Sequence, residues 1–506
     1  MNSHALGFVA VVLVTVATLA IGTWGLRFSR TTSDFFVASR SVRPGLNASA
    51  ISGEYLSAAS FLGIAGLVLS FGAEMLWYPV GWTAGYLVLL VLVAAPLRRS
   101  GAYTLPDFAE ARLDSRTVRT LASVMVVAIG WLYVMPQLQG AGVALRTATG
   151  LPEWAGGLVV AVVVLLNVLS GGMRSITFVQ AFQYWLKLTA LLVPLAFLVV
   201  VWLGDGGRSA ADPSLFVGGQ SGTSWADPIA FVGDHPLYST YSLMVATFLG
   251  TMGLPHVVVR FYTNPDGRAA RQTTVAVLAL LGLFYVLPPV YAALGRLYAP
   301  DLVGTTGADG VVLELPARMI GHLGGDLLTA LLTAGAFAAF LATSSGLTIA
   351  VAGVITQDVM SKRVEGVTAF RLSAVVAVVV PFLLALVARD VAVATVVGLA
   401  FAMAAATFCP LLVLGIWWRG LTDAGALAGL LVGGALTGGA VVDNLMVDRT
   451  SGWFAALVDQ PAAWAVPLSF ATMVVVSRLT PHRAPVHTSR FMVRLHTPEA
   501  VELDRG

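Results

Sequence analysis

Charged side chains are scarce in this sequence, since Asp, Glu, Lys and Arg make up 11% of its 506 residues. A typical soluble domain contains about 25% charged residues, so this composition excludes an ordinary water-soluble globular protein. Apolar residues reach 57% and the mean hydropathy is +0.84. They form continuous runs of about 20 residues, which is the length of a membrane-spanning helix, whereas the strands of a membrane β-barrel alternate polar and apolar residues. The sequence therefore predicts an all-α integral membrane protein.

The sequence also lacks residues and motifs that disulfide formation, common catalytic mechanisms and nucleic-acid binding require. The single cysteine, Cys409, lies in an apolar run and has no second cysteine with which to form a disulfide. The apolar runs contain no HExxH, GxSxG or paired acidic motif. The net charge of +3 is too small, and too widely spread, to indicate nucleic-acid binding. We therefore expect a protein that is not an enzyme, that has no nucleic-acid partner, and that needs no cofactor beyond a coupling ion.

The N-terminal apolar run lacks a basic segment before it and a small-residue cleavage site after it, which predicts a retained helix rather than a signal peptide. We predict thirteen spans, with boundaries uncertain by a few residues. Most of the 29 basic residues then lie on the cytoplasmic side if the N-terminus is outside, which favours an N-out, C-in protein of the plasma membrane. The predicted spans are 5–27, 46–71, 76–97, 118–146, 153–171, 175–203, 237–258, 272–298, 323–352, 368–388, 391–417, 422–442 and 462–479.

The spans divide into two sets of five, spans 2–6 and spans 7–11. Because five is odd, the second set crosses the membrane in the opposite direction, which predicts an inverted repeat. The predicted organisation is a first helix with a cytoplasmic linker (1–45), the first repeat (46–203), an extracytoplasmic loop (204–236), the second repeat (237–417), two peripheral helices (418–479) and a cytoplasmic tail (480–506).

Each repeat opens with an apolar stretch that small and helix-breaking residues interrupt, at 47–72 and at 239–261. In the second stretch, Gly250 and Gly253 permit non-helical backbone and Pro255 lacks an amide donor. Unwound backbone at mid-membrane depth offers carbonyls to a cation and helix N-termini to an anion. The paired interruptions therefore indicate the binding site of a transporter.

Four motifs occur in order: GEYLSAASFLG (53–63), GGMRSITFVQAFQ (171–183), GTMGLPHVVVRF (250–261) and ATSSGLTIAVAGVITQD (342–358). With the tail motif RFMVRLHTPE (490–499), they resemble the sodium–solute symporter family, from about residue 34 onward. Within that family the sequence is most similar to the cation/acetate, or short-chain monocarboxylate, symporters. The resemblance implies a five-plus-five inverted-repeat fold of the LeuT type, with broken helices in spans 2 and 7.

The resemblance also implies a cation site between spans 2 and 9. It carries over to the backbone carbonyls of Gly53, Leu56 and Ala339, with Thr343 as the clearest hydroxyl ligand. The position that often supplies a further hydroxyl is Ala342 here. This departure leaves the coupling ion open between sodium, the one metal ion expected, and a proton. The alternative for Thr343 is a bond to a preceding carbonyl, or packing between small residues.

Three polar residues at membrane depth are candidates for coupling. Glu54 lies at the first interruption, and a carboxylate at membrane depth usually has a function because it is costly to bury. Glu54 could carry a proton, attract the cation or cap the second half-helix. Gln180 stands where many family members have an acid, so it serves either the coupling ion or, like Gln183, interhelical hydrogen bonding. Lys187 is the one basic residue well inside a predicted span, where it pairs with an acid, snorkels or contacts a carboxylate substrate directly. Arg260 is assigned to the cytoplasmic side, just beyond span 7.

The predicted substrate is a small anion, because the half-helix that begins near Ser57 presents amides and a positive dipole end. We expect uptake of a short monocarboxylate such as acetate, propionate or pyruvate, driven by inward sodium or proton movement. The alternative is a symporter of proline or another amino acid. The sequence leaves the oligomeric state open. The candidate lining residues are Tyr55, Ser57, Trp77, Tyr133, Gln137, Thr247, Thr251 and Gly253.

Overall fold

A computed structural model describes residues 3–25, 41–229, 234–305, 307–360, 366–387, 393–447 and 451–498. In the first half of the chain its helices are α1 (Ser3–Gly25), α2 (Pro44–Tyr55), α3 (Ile64–Phe71), α4 (Trp77–Leu92), α5 (Ala94–Ser100), α6 (Leu105–Leu113), α7 (Arg116–Thr149), α8 (Glu153–Gly204) and the short α9 (Gly222–Trp225). A π-helical turn (Ala59–Gly63) leads into α3 and a 3₁₀ turn (Ala73–Leu76) into α4. Two short antiparallel strands, β1 (Phe216–Val217) and β2 (Gln220–Ser221), form a hairpin in the loop after α8.

The second half is helical throughout its described residues. Its helices are α10 (Pro236–Gly250), α11 (Pro255–Phe261), α12 (Gly267–Tyr285), α13 (Leu287–Tyr298), α14 (Val311–Met319), α15 (His322–Ile355), α16 (Gly366–Val387), α17 (Val393–Trp417), α18 (Asp423–Met446), α19 (Trp453–Asp459), α20 (Ala462–Leu479) and α21 (Thr488–His496). A 3₁₀ turn, Thr251–Gly253, separates α10 from α11, and another, Ala308–Gly310, precedes α14.

Ten of the described helical stretches are long and apolar enough to cross a membrane, and two bent pairs raise this number to twelve. The N-terminal segment of α8, Glu153–Leu169, is apolar but shorter, and it lies where the fifth span is predicted. The all-helical, multi-pass prediction is confirmed, while the number thirteen and the orientation stay predictions. The linker residues 26–40, part of the 1–45 segment, and the end of the tail from 499 lie outside the described residues.

The helix α8 turns back on itself between Asn167 and Val179. A Cβ placed on Gly22 of α1 would lie 2.4 Å from Asn167 Oδ1 and 3.9 Å from Val179 Cγ2. These two residues are twelve positions apart, which is about 18 Å along a straight helix, so both reach the same glycine only if the helix reverses. The segments on either side of the turn therefore pack side by side, as the predicted fifth and sixth spans require.

Both predicted interruptions are bends in the structure. The stretch Pro44–Tyr55 meets Ala59–Phe71 at 72°, and Pro236–Gly253 meets Pro255–Phe261 at 44°. In the first bend, Leu56 leaves the helical region with φ −73° and ψ 89°. In the second, Leu254 is extended with ψ 119°, as expected for a residue before proline. Each bend leaves carbonyls without the amide four residues later that a continuous helix supplies.

The bends lie at the centre of the helix bundle. The apolar stretch of the long helix α15 is completely buried, and the helix packs against α1, α7, α8 and α16. The first broken helix, α2, packs against α8, α12 and α15, and α11 lies beside α15 and α2. The helix α17 closes the second bend by packing on α10 and on the Thr251–Gly253 turn.

The close contact between α10 and α17 depends on glycine. A Cβ on Gly250 would lie 2.4 Å from the Phe401 carbonyl oxygen and 3.0 Å from its carbon. Backbone atoms cannot rotate away, so a methyl group there forces the two helices apart.

We therefore expect Gly250→Ala to lower the thermal unfolding temperature of the purified protein in detergent, by the equivalent of about 1–3 kcal/mol. The matched control is Gly282→Ala in α12, where no atom lies within 4 Å of the added Cβ. Equal unfolding temperatures for the two variants would show that α10 and α17 do not approach as closely as described.

Candidate functional site

The first bend exposes two carbonyls that the side chain of Lys187 satisfies. Lys187 lies on the second segment of α8 and is fully buried. Its Nζ donates to the Leu56 carbonyl at 2.7 Å and also to the Gly53 carbonyl. Because α2 ends at Tyr55, neither carbonyl has its ordinary helical partner. The bend and the buried ammonium group therefore stabilise each other.

Glu54, one residue after Gly53, forms a buried ion pair with Arg260. Arg260 Nε lies 2.6 Å from Glu54 Oε2, and the two side chains are 1% and 2% exposed. The helix α11 continues to Phe261, so Arg260, expected just beyond span 7, lies within a helix and its side chain is buried; its assignment to the cytoplasmic side stays a prediction. An unpaired carboxylate is costly at this depth, and a guanidinium on the facing half-helix removes most of that cost.

Two further residues of α8 hold the guanidinium in place. Arg260 Nη1 donates to Thr177 Oγ1 at 2.9 Å, and Nη2 donates to Gln180 Oε1. Gln180 in turn donates to the Ala342 carbonyl of α15 at 2.8 Å. Of its two predicted roles, this geometry matches interhelical hydrogen bonding. Gln183 also bonds between helices, to Thr18 of α1 at 3.1 Å.

Thr343 contacts the first bend from α15. Its Oγ1 donates to the Glu54 carbonyl at 2.5 Å, so the hydroxyl bonds across helices rather than back along its own. A Cβ on Gly346, one turn later, would lie 1.9 Å from Glu54 Oε1, so this glycine makes room for the carboxylate. The Gly53 and Leu56 carbonyls thus share one partner, and Thr343 bonds to the carbonyl of the residue between them, Glu54, with Ala342 next to it on α15. Their assignment as cation ligands, with Ala339, stays a prediction.

Four of the predicted substrate-lining residues meet where α2, α4 and the second bend approach one another. Tyr55 OH lies 3.0 Å from Thr251 Oγ1, and Thr251 donates to the Thr247 carbonyl at 2.8 Å. Gly253 packs tightly on α17, since its added Cβ would lie 2.5 Å from the Ala404 carbonyl oxygen. Both bends and α17 therefore border the same buried region.

Gln137 and Tyr133 of α7 lie on the other side of the first bend. Gln137 Oε1 accepts a hydrogen bond of 2.8 Å from the Ala58 amide, the first amide after Ser57. The Tyr133 hydroxyl lies beside the Ser57 side chain, and its ring centroid is 5.2 Å from that of His256. Both ring nitrogens of His256 lack a hydrogen-bond partner among the described residues.

Trp77 lies apart from the other seven candidates. It begins α4, is only partly buried, and its Nε1 donates to the Pro228 carbonyl in the loop before α10 at 2.9 Å. Sequence analysis missed an aromatic cluster one or two turns further along, in which the rings of Tyr55 and Tyr86 are 4.9 Å apart and those of Trp82 and Phe401 are 5.6 Å apart. The i, i+4 spacing of Trp82 and Tyr86 on one helix face would have indicated this pair.

A small cavity lies beside the first bend, lined by Ala58, Leu62, Gly63, Gly140, Val143, Asp309 and Val393. Asp309 belongs to the turn before α14, outside the spans, and packs so closely on α3 that a Cβ on Gly66 would lie 2.3 Å from its Oδ1. Burial raises the pKa of this carboxyl to about 6. The turn covers the cavity on one side and carries a titratable group there.

Broken helices that face each other at the centre of a multi-pass helical bundle, with buried charges at the break, define a secondary transporter. The sequence profile described as the Sodium:solute symporter family matches residues 35–433. The "Uncharacterized symporter YwcA" of Bacillus subtilis (strain 168) is 34% identical over 427 residues, which are 82% of each chain. The protein belongs to the sodium:solute symporter family.

Solved structures support the same fold. A Na+-coupled sialic acid symporter in a substrate-bound, outward-open state has a TM-score of 0.70 at 14% identity, covering 94% of this chain and 98% of that one. MHP1, a nucleobase-cation-symport-1 family transporter, has a TM-score of 0.54 at 13% identity, covering 92% and 99%. The relatives are transporters, which confirms that the chain is a cation-coupled symporter with the predicted LeuT-type architecture rather than an enzyme.

The buried ion pair generates a prediction about stability. Arg260→Gln leaves the Glu54 carboxylate buried without its cation, which we expect to destabilise the protein by about 3–5 kcal/mol. The double variant Glu54→Gln/Arg260→Gln removes both charges and should recover most of that loss. Unfolding temperatures in detergent measure both. A double variant that falls by the sum of the two single changes would contradict a direct pair.

The raised pKa of Asp309 predicts that the stability of the folded protein depends on pH. Its pKa is about 6 in the folded protein and about 3.9 in an unfolded chain, so stability falls as pH rises between these values, by at most about 3 kcal/mol. Asp309→Asn should therefore unfold at a higher temperature than the wild type at pH 8 and at nearly the same temperature at pH 4.

The control is Asp301→Asn in the same loop, where the Arg318 guanidinium lowers the pKa of the carboxyl. Removing that carboxylate should leave stability at pH 8 unchanged or slightly lower. A destabilising effect of Asp309→Asn at pH 8 would contradict the burial described for Asp309.

Proposed function

We propose that this symporter takes up a short monocarboxylate such as acetate, propionate or pyruvate, together with a cation. The observation that carries the proposal is the charge of the buried cluster at the breaks. Two basic residues, Lys187 and Arg260, face one acid, Glu54, and all three are buried. A small anion bound nearby would balance the surplus positive charge, whereas a neutral solute would not.

The first bend supplies a position for the carboxylate. The amide of Ala58 begins the second half-helix and already binds an oxygen acceptor, the side chain of Gln137 at 2.8 Å. A substrate carboxylate is a stronger acceptor at a helix N-terminus than a neutral amide oxygen. We propose that substrate takes this bond when Gln137 rotates away, with the aromatic rings of Tyr55, Tyr86 and Tyr133 next to its short apolar part.

A positive charge, that of the coupling cation or that of Lys187, is proposed to act at the carbonyls of Gly53 and Leu56, next to Thr343 and Ala339 of α15. A positive charge there stabilises the bend and lies close to the half-helix that would receive the carboxylate. Substrate and cation would then favour the same arrangement of α2, which is the thermodynamic requirement for coupled transport. The coupling ion is sodium or a proton.

We expect proteoliposomes containing the protein to accumulate labelled acetate, propionate and pyruvate at least about tenfold more than vesicles without protein. Acetamide should not compete with acetate, because it lacks the negative charge that the cluster balances. Gln137→Ala should change the concentration for half-maximal uptake, while Trp77→Phe, at a residue away from the break, should not.

The membrane potential separates this proposal from uptake of proline or another amino acid. A monocarboxylate carried with one cation moves no net charge, so its uptake should respond little to an imposed potential. A zwitterion carried with one cation moves one positive charge and should be favoured by an inside-negative potential. Equal competition by acetate and acetamide, or dominant potential-driven proline uptake, would refute the monocarboxylate proposal.

A further inference from the structure

The oxygen atoms proposed to hold the coupling cation already bind a cationic group of the chain itself. The carbonyls of Gly53 and Leu56 both accept hydrogen bonds from Lys187 Nζ, at 2.7 Å in the case of Leu56. The Lys187 side chain is fully buried, so this contact lies inside the helix bundle and not at the protein surface.

The chemistry of the contact matches what a small cation would find there. An ammonium group carries three donors and one positive charge, and it satisfies carbonyls that the bend has deprived of amides. A sodium ion entering the same point would meet the ammonium at short range, and the two like charges would repel each other. The neighbouring carboxylate of Glu54 is already paired with Arg260 at 2.6 Å.

We propose that Lys187 acts as a tethered cation, which replaces sodium at the Gly53 and Leu56 carbonyls and makes the folded site independent of sodium. This inference deepens the proposed function, because it specifies what occupies the cation site. Lys187 is a specificity-determining residue in this role: it excludes sodium and holds the bend without contacting substrate. Removing its side chain should leave carbonyls, next to the Thr343 hydroxyl, that sodium is able to bind.

The first test needs no substrate. The unfolding temperature of the purified full-length protein is measured in sodium chloride and in choline chloride at equal ionic strength. The wild type should show the same value in both salts. Lys187→Ala should unfold at a lower temperature in choline and rise by a few degrees in sodium, because binding to the folded state alone stabilises it.

The matched control is Gln183→Ala, which lies one turn earlier on α8 and bonds to Thr18 rather than to the bend. It should show no sodium-specific rise. If Lys187→Ala does not fold, Lys187→Gln keeps a donor of similar length without the charge and is measured instead. A sodium-specific rise in the wild type, or none in whichever Lys187 variant folds, would overturn the proposal.

The second test is uptake into proteoliposomes at constant pH. Wild-type uptake of acetate should change less than twofold when sodium is replaced by choline, whereas the Lys187 variant should fall at least about tenfold in choline and recover several-fold in sodium. Wild-type uptake that is lost in choline would overturn the proposal. If no carboxylate is transported at all, the proposed substrate fails, yet the unfolding measurements still decide what occupies the site.

Discussion

The centre of this protein depends on hydrogen bonds between buried charged side chains and the backbone carbonyls that the break at the end of α2 leaves free. The bend of 72° frees carbonyls at Gly53 and Leu56, and the ammonium of Lys187 binds them. Neither feature is stable alone, because free carbonyls and a free ammonium are each costly in an apolar interior. Their pairing fixes α2 against the second segment of α8, which the reversal between Asn167 and Val179 brings to this position.

The same bend determines where the other charges lie. Glu54 follows Gly53 and points toward α11, where Arg260 meets it, and Gln180 joins the arginine to the Ala342 carbonyl of α15. The second bend, with Pro255 as the first residue of α11, sets the direction in which Arg260 points. The two broken helices, α8 and α15 are therefore linked by hydrogen bonds and ion pairs as well as by packing. A relative movement of these helices during transport has to break or rearrange those bonds.

The helical fold, the two breaks and the family were all predictable from the sequence, because each leaves a local signal: apolar runs, the Gly and Pro residues at 250–255, and four motifs in order. The partners of Lys187 and Arg260 were not predictable, since they depend on how side chains from distant segments meet. Arg260 stands only two residues beyond the predicted end of its span at 258, within the error of a span boundary. The sequence does not distinguish an arginine that is buried at the end of a helix from one that lies in a loop. The contact with Glu54 from another helix is what identifies Arg260 as buried.

The substitution of Ala342 for a hydroxyl residue and the presence of Lys187 are two observations about one site. A sodium site built from backbone carbonyls and hydroxyls needs several oxygens around the ion and a vacant centre. Here one hydroxyl is missing, Thr343 donates its proton to the Glu54 carbonyl, and an ammonium group fills the space beside Gly53 and Leu56. Losing a ligand weakens sodium binding, and a tethered cation makes that ligand unnecessary. The family relationship establishes a cation-coupled symporter, and our proposal is that these few residues form a site that carries its own positive charge.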